Sequence, residues 1–458
     1  MLRPTVRRPR RPDMNAIASK NERRAAAASE AADIAGYFDR LFPLLRSLTG
    51  AGVRQSLDIL GELLPLERIE IASGTKVFDW TVPQEWVVRE AYLEGPDGKR
   101  ILDMRDSNLH LLNYSTGFRG EVSREELDEH LHSRADMPDV IPYVTSYYKP
   151  RWGFCLPHRV REALPAGNYR VAIDADHIDG AMSLGEAVLR GETAEEVLIA
   201  SDICHPSLGN DELSGPLALA FLYRRIAAWP KRRLTYRFVL HPETIGSIAY
   251  LSLRGQRLAA HCVAGFVVSN VGVSAPFRYK RSRRGNSLAD RAAVSVLRER
   301  WPQAHAISDY APVGSDERQY CSPGFDLPVG VLSRTPDRYP EYHTSLDNRD
   351  FVSFDALSET VDAYEAICRK IDNAVRYRNL SPYGEPQLGP RGLYHNIGRA
   401  GPPEAMTQAL LWVLNLSDGD HDLEAIAERS GIGLELIAEA AASAHKAGLL
   451  ADSGAIQR

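Results

Sequence analysis

The chain has 458 residues, 44% of them apolar and 25% charged, with a formal net charge of −5. Those values fit a globular chain of several domains and exclude a collagen-like or wholly disordered one. The acidic balance gives no footing for a nucleic-acid or membrane partner. No apolar run reaches transmembrane length, and five scattered cysteines argue against a disulfide framework and for a reducing, cytoplasmic setting.

Residues 1–33 are expected to be a disordered tail. MLRPTVRRPRRP is basic and proline-rich, and NERRAAAASEAA lacks a large apolar face. Residues 34–66 carry YFDRLFPLLRSL and VRQSLDILGELLPL, with apolar residues at helical spacing, and predict two helices that belong to the core. From 67 to 191 short alternating segments appear, KVFDWTVP, WVVREAYLEG, GKRILDM and YRVAIDAD, and predict an inserted β-rich module. Its aromatic stretch IPYVTSYYKPRWGFC supplies rings for the module's core or its seam with the next domain, and Tyr147, Tyr148 and Arg151 are candidates to border a substrate pocket. The pair His130 and His132 could place two imidazoles on one strand face, but no third metal ligand stands near them.

Residues 192–380 alternate strand and helix. EVLIAS, LTYRFVLH, AGFVVSNVG, HAISDY and LPVGVLS read as strands, and amphipathic helices lie between them. The fold class is therefore α/β, a mainly parallel sheet flanked by helices. After a proline- and glycine-rich linker, residues 381–458 offer three short helices with the rhythm of a winged helix. From Gly401 to Arg458 nine acids face three bases, which suits packing or protein contact better than DNA.

Polar residues gather just beyond the predicted strands. CHPSLGNDELSG follows the first, HPETIGS the second, and SDE and YHTSLDN come later. In a parallel sheet such ends converge on one rim. His205, Asp211, Glu243, Asp316 and His343 can therefore meet in one crevice, and two imidazoles with a carboxylate make a catalytic zinc set that leaves a position for water. A further glutamate supplies the base that zinc hydrolases need. The basic run FRYKRSRRGNS reads as a solvated loop, with a clamp for a substrate carboxylate or phosphate as the alternative.

These motifs resemble the zinc aminopeptidases of the leucine-aminopeptidase and glutaminyl-cyclase type, and over residues 34–458 the bacterial proteins labelled aminopeptidase-like, with an inserted β module and a C-terminal winged helix. CHPSLGNDELSG resembles the family's first metal motif, matched by His205 and Asp211. YHTSLDN resembles its HTxxD motif, matched by His343, and SDE a motif that places Asp316 at the site. The resemblance implies a zinc exopeptidase-like fold and hydrolysis of an amide at a peptide N-terminus or in a small amino-acid conjugate. Two-zinc members carry a Glu-Glu pair where this chain has only Glu243, and a further aspartate where it has Ser269 and Asn270. The reading that follows is one zinc held by His205, Asp211 and His343, with Glu243 and Asp316 as catalytic carboxylates. A shift of the glutamate alignment by one residue would make Glu243 a ligand and Asp316 the base. The alternatives are acyl transfer of the glutaminyl-cyclase kind, or a non-catalytic interaction protein. Self-association into a homo-oligomer is left open by the sequence.

Overall fold

The computed structural model describes residues 14–336, 339–393 and 405–453. Helix α1 covers Met14–Leu41 and α2 Ala51–Leu60. The expected disordered tail is thus helical from Met14, and residues 1–13 lie outside the described residues. The alanine-rich stretch has the highest intrinsic helix propensity. Ala31, Ile34, Phe38 and Leu41 then continue the helix as a buried stripe spaced by three and four residues.

The core is an eight-stranded mixed sheet. Its strands in chain order are β1 (Glu67–Ala72), β2 (Ala181–Leu189), β3 (Glu196–Asp202), β4 (Thr235–His241), β5 (Cys262–Val268), β6 (Phe277–Lys280), β7 (His305–Ser308) and β8 (Val329–Ser333). Their order across the sheet is β1-β2-β4-β3-β5-β8-β6-β7. The central four, β4, β3, β5 and β8, are parallel, so their carboxyl ends share one rim. Every residue of β3 and of β4 is buried, as in strands covered on both faces, and apolar side chains are the majority in each. Helices α3 (Ser214–Ala227), α4 (Ile245–His261), α5 (Leu288–Arg300) and α6 (Phe354–Asp372) cover the sheet. The strand β6 falls inside the basic run that the sequence assigned to a loop, because Phe277 and Tyr279 alternate into the core.

The β module is narrower than its texture suggested. β1 and β2 pair with each other in the main sheet, from Glu67↔Glu186 to Ala72↔Ala181. The module is therefore spliced into the tip of that hairpin. It has its own antiparallel sheet, in which Glu85–Glu94 and Asn168–Ile178 form the long central pair. The pairing joins residues more than a hundred positions apart, so local sequence pattern cannot assign these two strands to the main sheet.

At the other end, Arg376–Asn379 pairs with Asp418–Asp422 and Leu450–Asp452, so the winged-helix unit begins before the linker. Its helices are Ala405–Leu416, Leu423–Ser430 and Leu434–Lys446. Arg291 of α5 bonds Asp422 at 2.8 Å, and Arg376 bonds Glu195 at 2.6 Å, fixing the unit to the core.

Candidate metal centre

Beyond β3 the chain crosses the rim through Ile203 and Cys204 to His205, whose carbonyl accepts Arg46 Nε at 2.8 Å. Arg46 is itself wholly buried. Residues Gly209–Leu213 then form one π-helical turn before α3. Such widened turns are rare and concentrate at functional sites. This one carries Asp211 and Glu212 side by side, both buried. The carboxylate of Asp347, the aspartate of YHTSLDN, accepts the Asn210 and Asp211 backbone N–H groups at 2.6 and 2.8 Å. It is not a ligand; it ties the loop of His343 to the loop of Asp211.

One donor atom each from His205, Asp211 and His343 lie within 4.8 Å of one another. His343 Nε2 and Asp211 Oδ2 are 3.1 Å apart, both buried, and neither makes a hydrogen bond. Buried polar atoms without partners are costly, and a shared cation resolves this pair. His205 places Nδ1 on Glu212 Oε2 at 2.6 Å, which leaves its Nε2 for the site. A carboxylate behind a ligating imidazole fixes the tautomer and raises its basicity. The other Glu212 oxygen takes the Cys204 N–H. Asn270, at the position where the resemblance expects a further acid, donates to Asp211 Oδ1 at 3.3 Å. These donors fit a single divalent cation of the zinc type.

Burial opposes ionisation of Asp211, but His343 and then His205 outweigh it and hold the carboxyl below its ordinary range. Glu243 faces the set across the rim, with Oε2 3.9 Å from His205 Nε2. Burial, and then the charge of Asp316, push Glu243 up to about 7, near the value a general base needs at neutral pH. Asp316 lies beneath the turn that carries Glu243. Its Oδ1 accepts Thr244 N at 2.8 Å and Ser247 Oγ at 2.7 Å, and it is 1% exposed. Through Oδ1, Asp316 positions the Glu243 turn, while its Oδ2 is buried without a hydrogen-bond partner. Four of the seven non-glycine residues with positive φ among the described residues sit on this rim: Ser207, Thr244, Asn270 and His343. Strain of that kind persists where the surroundings over-determine it, as at functional sites.

Tyr143, from the inserted module, sets its ring edge against both His205 and His343, at 5.0 and 5.1 Å between centroids. Its hydroxyl meets that of Tyr147 at 2.7 Å. Tyr148 follows, exposed and edge-on to Trp80 at 5.6 Å. The aromatic stretch thus divides: Tyr143, Trp152 and Phe154 are buried, Tyr147 is half-buried against the core, and Tyr148 is exposed. Arg151 is exposed and donates to the Thr145 carbonyl; it is not among the groups gathered at the metal set. Within the basic run, Lys280 pairs with Glu317, and Arg283 and Arg284 with Asp326. Sequence reasoning missed Arg46 and Glu212, of which only Glu212 carried a signal, its place directly after Asp211; Tyr143 was read only as one of the rings that fill the module or its seam.

Residues 36–374 match the family model described as a domain of unknown function, DUF4910, and residues 375–452 match a winged helix-turn-helix model. The chain belongs to the DUF4910 family. A Clostridium acetobutylicum relative, provisionally named a polysaccharide biosynthesis protein with aminopeptidase-like domain, is 40% identical over 418 residues, covering 91% of this chain and 96% of its own. A crystal structure from the same organism, provisionally described as a peptidase, is 38% identical, covers 94% of this chain and 99% of its own, and superposes with a TM-score of 0.77. At 12% identity, a zinc aminopeptidase of Bacillus subtilis covers 74% of this chain and 94% of its own, with a TM-score of 0.54. The fold of this DUF4910 chain is aminopeptidase-like, with a C-terminal winged helix, as the motifs led one to expect. No helix among the described residues is long and apolar enough to cross a membrane.

Proposed function

We propose that the chain is a hydrolase of amide bonds that uses one zinc ion held by His205, Asp211 and His343, acting on a small peptide or amino-acid conjugate. The observation that carries this reading is the unbonded pair His343 Nε2 and Asp211 Oδ2, brought within 4.8 Å of a His205 nitrogen. Bound there, the ion would supply Lewis acidity to the scissile carbonyl and to water.

The chain's own residues do the rest. Glu243 takes a proton from the attacking water and returns it to the leaving nitrogen. Glu212 holds His205 in the tautomer whose Nε2 is a lone-pair donor. Asp316 fixes the Thr244 turn, and with it the direction of Glu243. Tyr147 and Tyr148 border the substrate on the module's side. The test is metal analysis by mass spectrometry with turnover of amide substrates, on the wild type and on His343→Ala together. One zinc per chain, lost with activity in the variant, supports the reading. No zinc after supply of the metal overturns it, and two per chain would call for a further ligand near Glu243.

A further inference from the structure

At the seam between the inserted module and the His343 loop lies an open cavity of ≈460 Å³, within the range of small-molecule sites. His343 lines it, so a molecule held there touches the imidazole of a metal ligand. Backbone stitches the seam: Tyr143 N donates to His343 O at 2.8 Å, and Ser345 N to Ile141 O at 2.9 Å. The module therefore fixes its own lining groups against the loop that carries His343.

Those groups are cationic. Arg134 and Arg161 line the cavity, and no carboxylate does so among the described residues. Both side chains reach solvent, at 36% and 28% exposure. Neither fork is used up. A guanidinium carries five N–H donors. Arg134 spends two of them, on the Asp136 carboxylate at 3.2 and 2.6 Å. Arg161 spends three, on the Asp128 carboxylate at 3.0 Å and on the Asp128 and Leu131 carbonyls. Asp128 is moreover shared, since Arg124 pairs with it too. Three guanidiniums thus stand against two carboxylates, Asp128 and Asp136, and one positive charge is left over. The neighbouring His132 feels it. Burial first, and then the charges of Arg151, Arg161 and His130, push that imidazole down to about 4, so it is neutral at physiological pH.

An ammonium group finds no anion in this lining. A monoanion meets a surplus charge and open N–H groups, and guanidinium forks match the planar oxygen pair of a carboxylate. Small peptides and amino-acid conjugates end in such a group, the α-carboxylate.

We propose that this cavity holds the free α-carboxylate of the substrate, and that the chain cleaves dipeptides or N-acyl amino acids in preference to amides that lack that charge. The subsite stands on the cavity; the cleavage rests on the hydrolase reading. Water's oxygen bonds the carbonyl carbon, the C–N bond breaks, Glu243 carries the proton to the departing nitrogen, and a free amino acid leaves with its carboxylate in the subsite.

Binding is measured by calorimetry on the full chain carrying Glu243→Gln and supplied with zinc, so that the probe stays whole, and kcat/KM on the wild type. The probes are leucyl-leucine against leucyl-leucinamide, and N-acetylleucine against its amide. In at least one pair the acid should bind about tenfold or more tighter than the amide, and the pair concerned tells a peptide substrate from an acyl conjugate. Arg134→Ala and Arg161→Gln should each shrink that gap with zinc content unchanged. Arg134 pairs with the exposed Asp136, so its variant folds even where Arg161→Gln does not. Equal binding of acid and amide in both pairs overturns the subsite. So does a gap that survives both substitutions, as one set by the metal itself would. A gap in binding with equal kcat/KM for acid and amide overturns the substrate preference while sparing the hydrolase. A gap that responds to the variants in a chain that turns over neither probe overturns the hydrolase and keeps the subsite.

Discussion

Two clusters of buried charge sit on the same sheet and are built from the same kinds of residue. Towards the amino ends of β3 and β4, Arg237 bonds Glu196 at 2.8 Å and Glu186 at 2.5 Å, Arg257 adds a second guanidinium to Glu196, and the Tyr250 hydroxyl donates to Glu186. At the carboxyl ends stand His205, Asp211, Glu212, Glu243, Asp316 and His343. The first cluster is closed. Burial raises its two glutamates, but Arg237, Arg257 and Tyr250 outweigh burial and hold both below the ordinary range. The second is open: Asp211 Oδ2, Asp316 Oδ2 and His343 Nε2 lack hydrogen-bond partners, and Asp316 and Glu243 are pushed up to about 6 and about 7 by burial first. A buried charge says little about function by itself. Whether its partners are all present in the chain separates a structural cluster from one that awaits a ligand.

The comparison can be broken most severely at the metal. Stripping zinc with a chelator, or His343→Ala, should abolish amide turnover, with re-addition of zinc restoring only the wild type. Glu243→Gln should lower kcat by about 10²–10⁴ while zinc content stays at the wild-type level, measured by steady-state kinetics and mass spectrometry. In the closed cluster, Arg237→Met should cost about 3–5 kcal/mol in denaturant unfolding, because it removes the guanidinium shared by two buried carboxylates, and should leave zinc affinity unchanged. Glu212→Gln should weaken zinc binding about 10–100-fold in competition titrations. The smallest effect sharpens the contrast by pH. Glu243 and Asp316 hold protons more tightly folded than unfolded, so the metal-free chain should lose stability as pH rises from about 4.5 through about 7. The closed glutamates act oppositely: their contribution is present above the unfolded value of about 4.5 and is lost as pH falls below it. Melting temperatures across pH 4–8 should show both slopes, and zinc should flatten the upper one.

The parallel strands, the winged helix and three candidate ligands could be read directly, because buried apolar runs and strand-end motifs are local patterns. EVLIAS followed by His205 and Asp211 is such a pattern. Arg46 could not be read, because its bond to the His205 carbonyl joins residues 159 apart in the chain. Tyr143 was named only for its bulk; its place between two imidazoles follows from how the module docks. Asp316 was found, but its bonds to the Thr244 N–H and the Ser247 hydroxyl could not be read, since sequence gives a carboxylate's presence and not which side of a turn it faces. The strands β1 and β2 were lost to the module because their pairing spans the whole insertion, a contact no local pattern reveals.

The splice at Ala72↔Ala181 also bears on how the chain comes together in time. Zipping β1 to β2 first would close a loop of roughly a hundred residues, an entropic cost of about 4 kcal/mol. A module that has already collapsed brings its two ends together and removes most of that cost. Assembly is therefore expected to run from the inside outward, with the inserted sheet forming before the edge of the larger one is sealed.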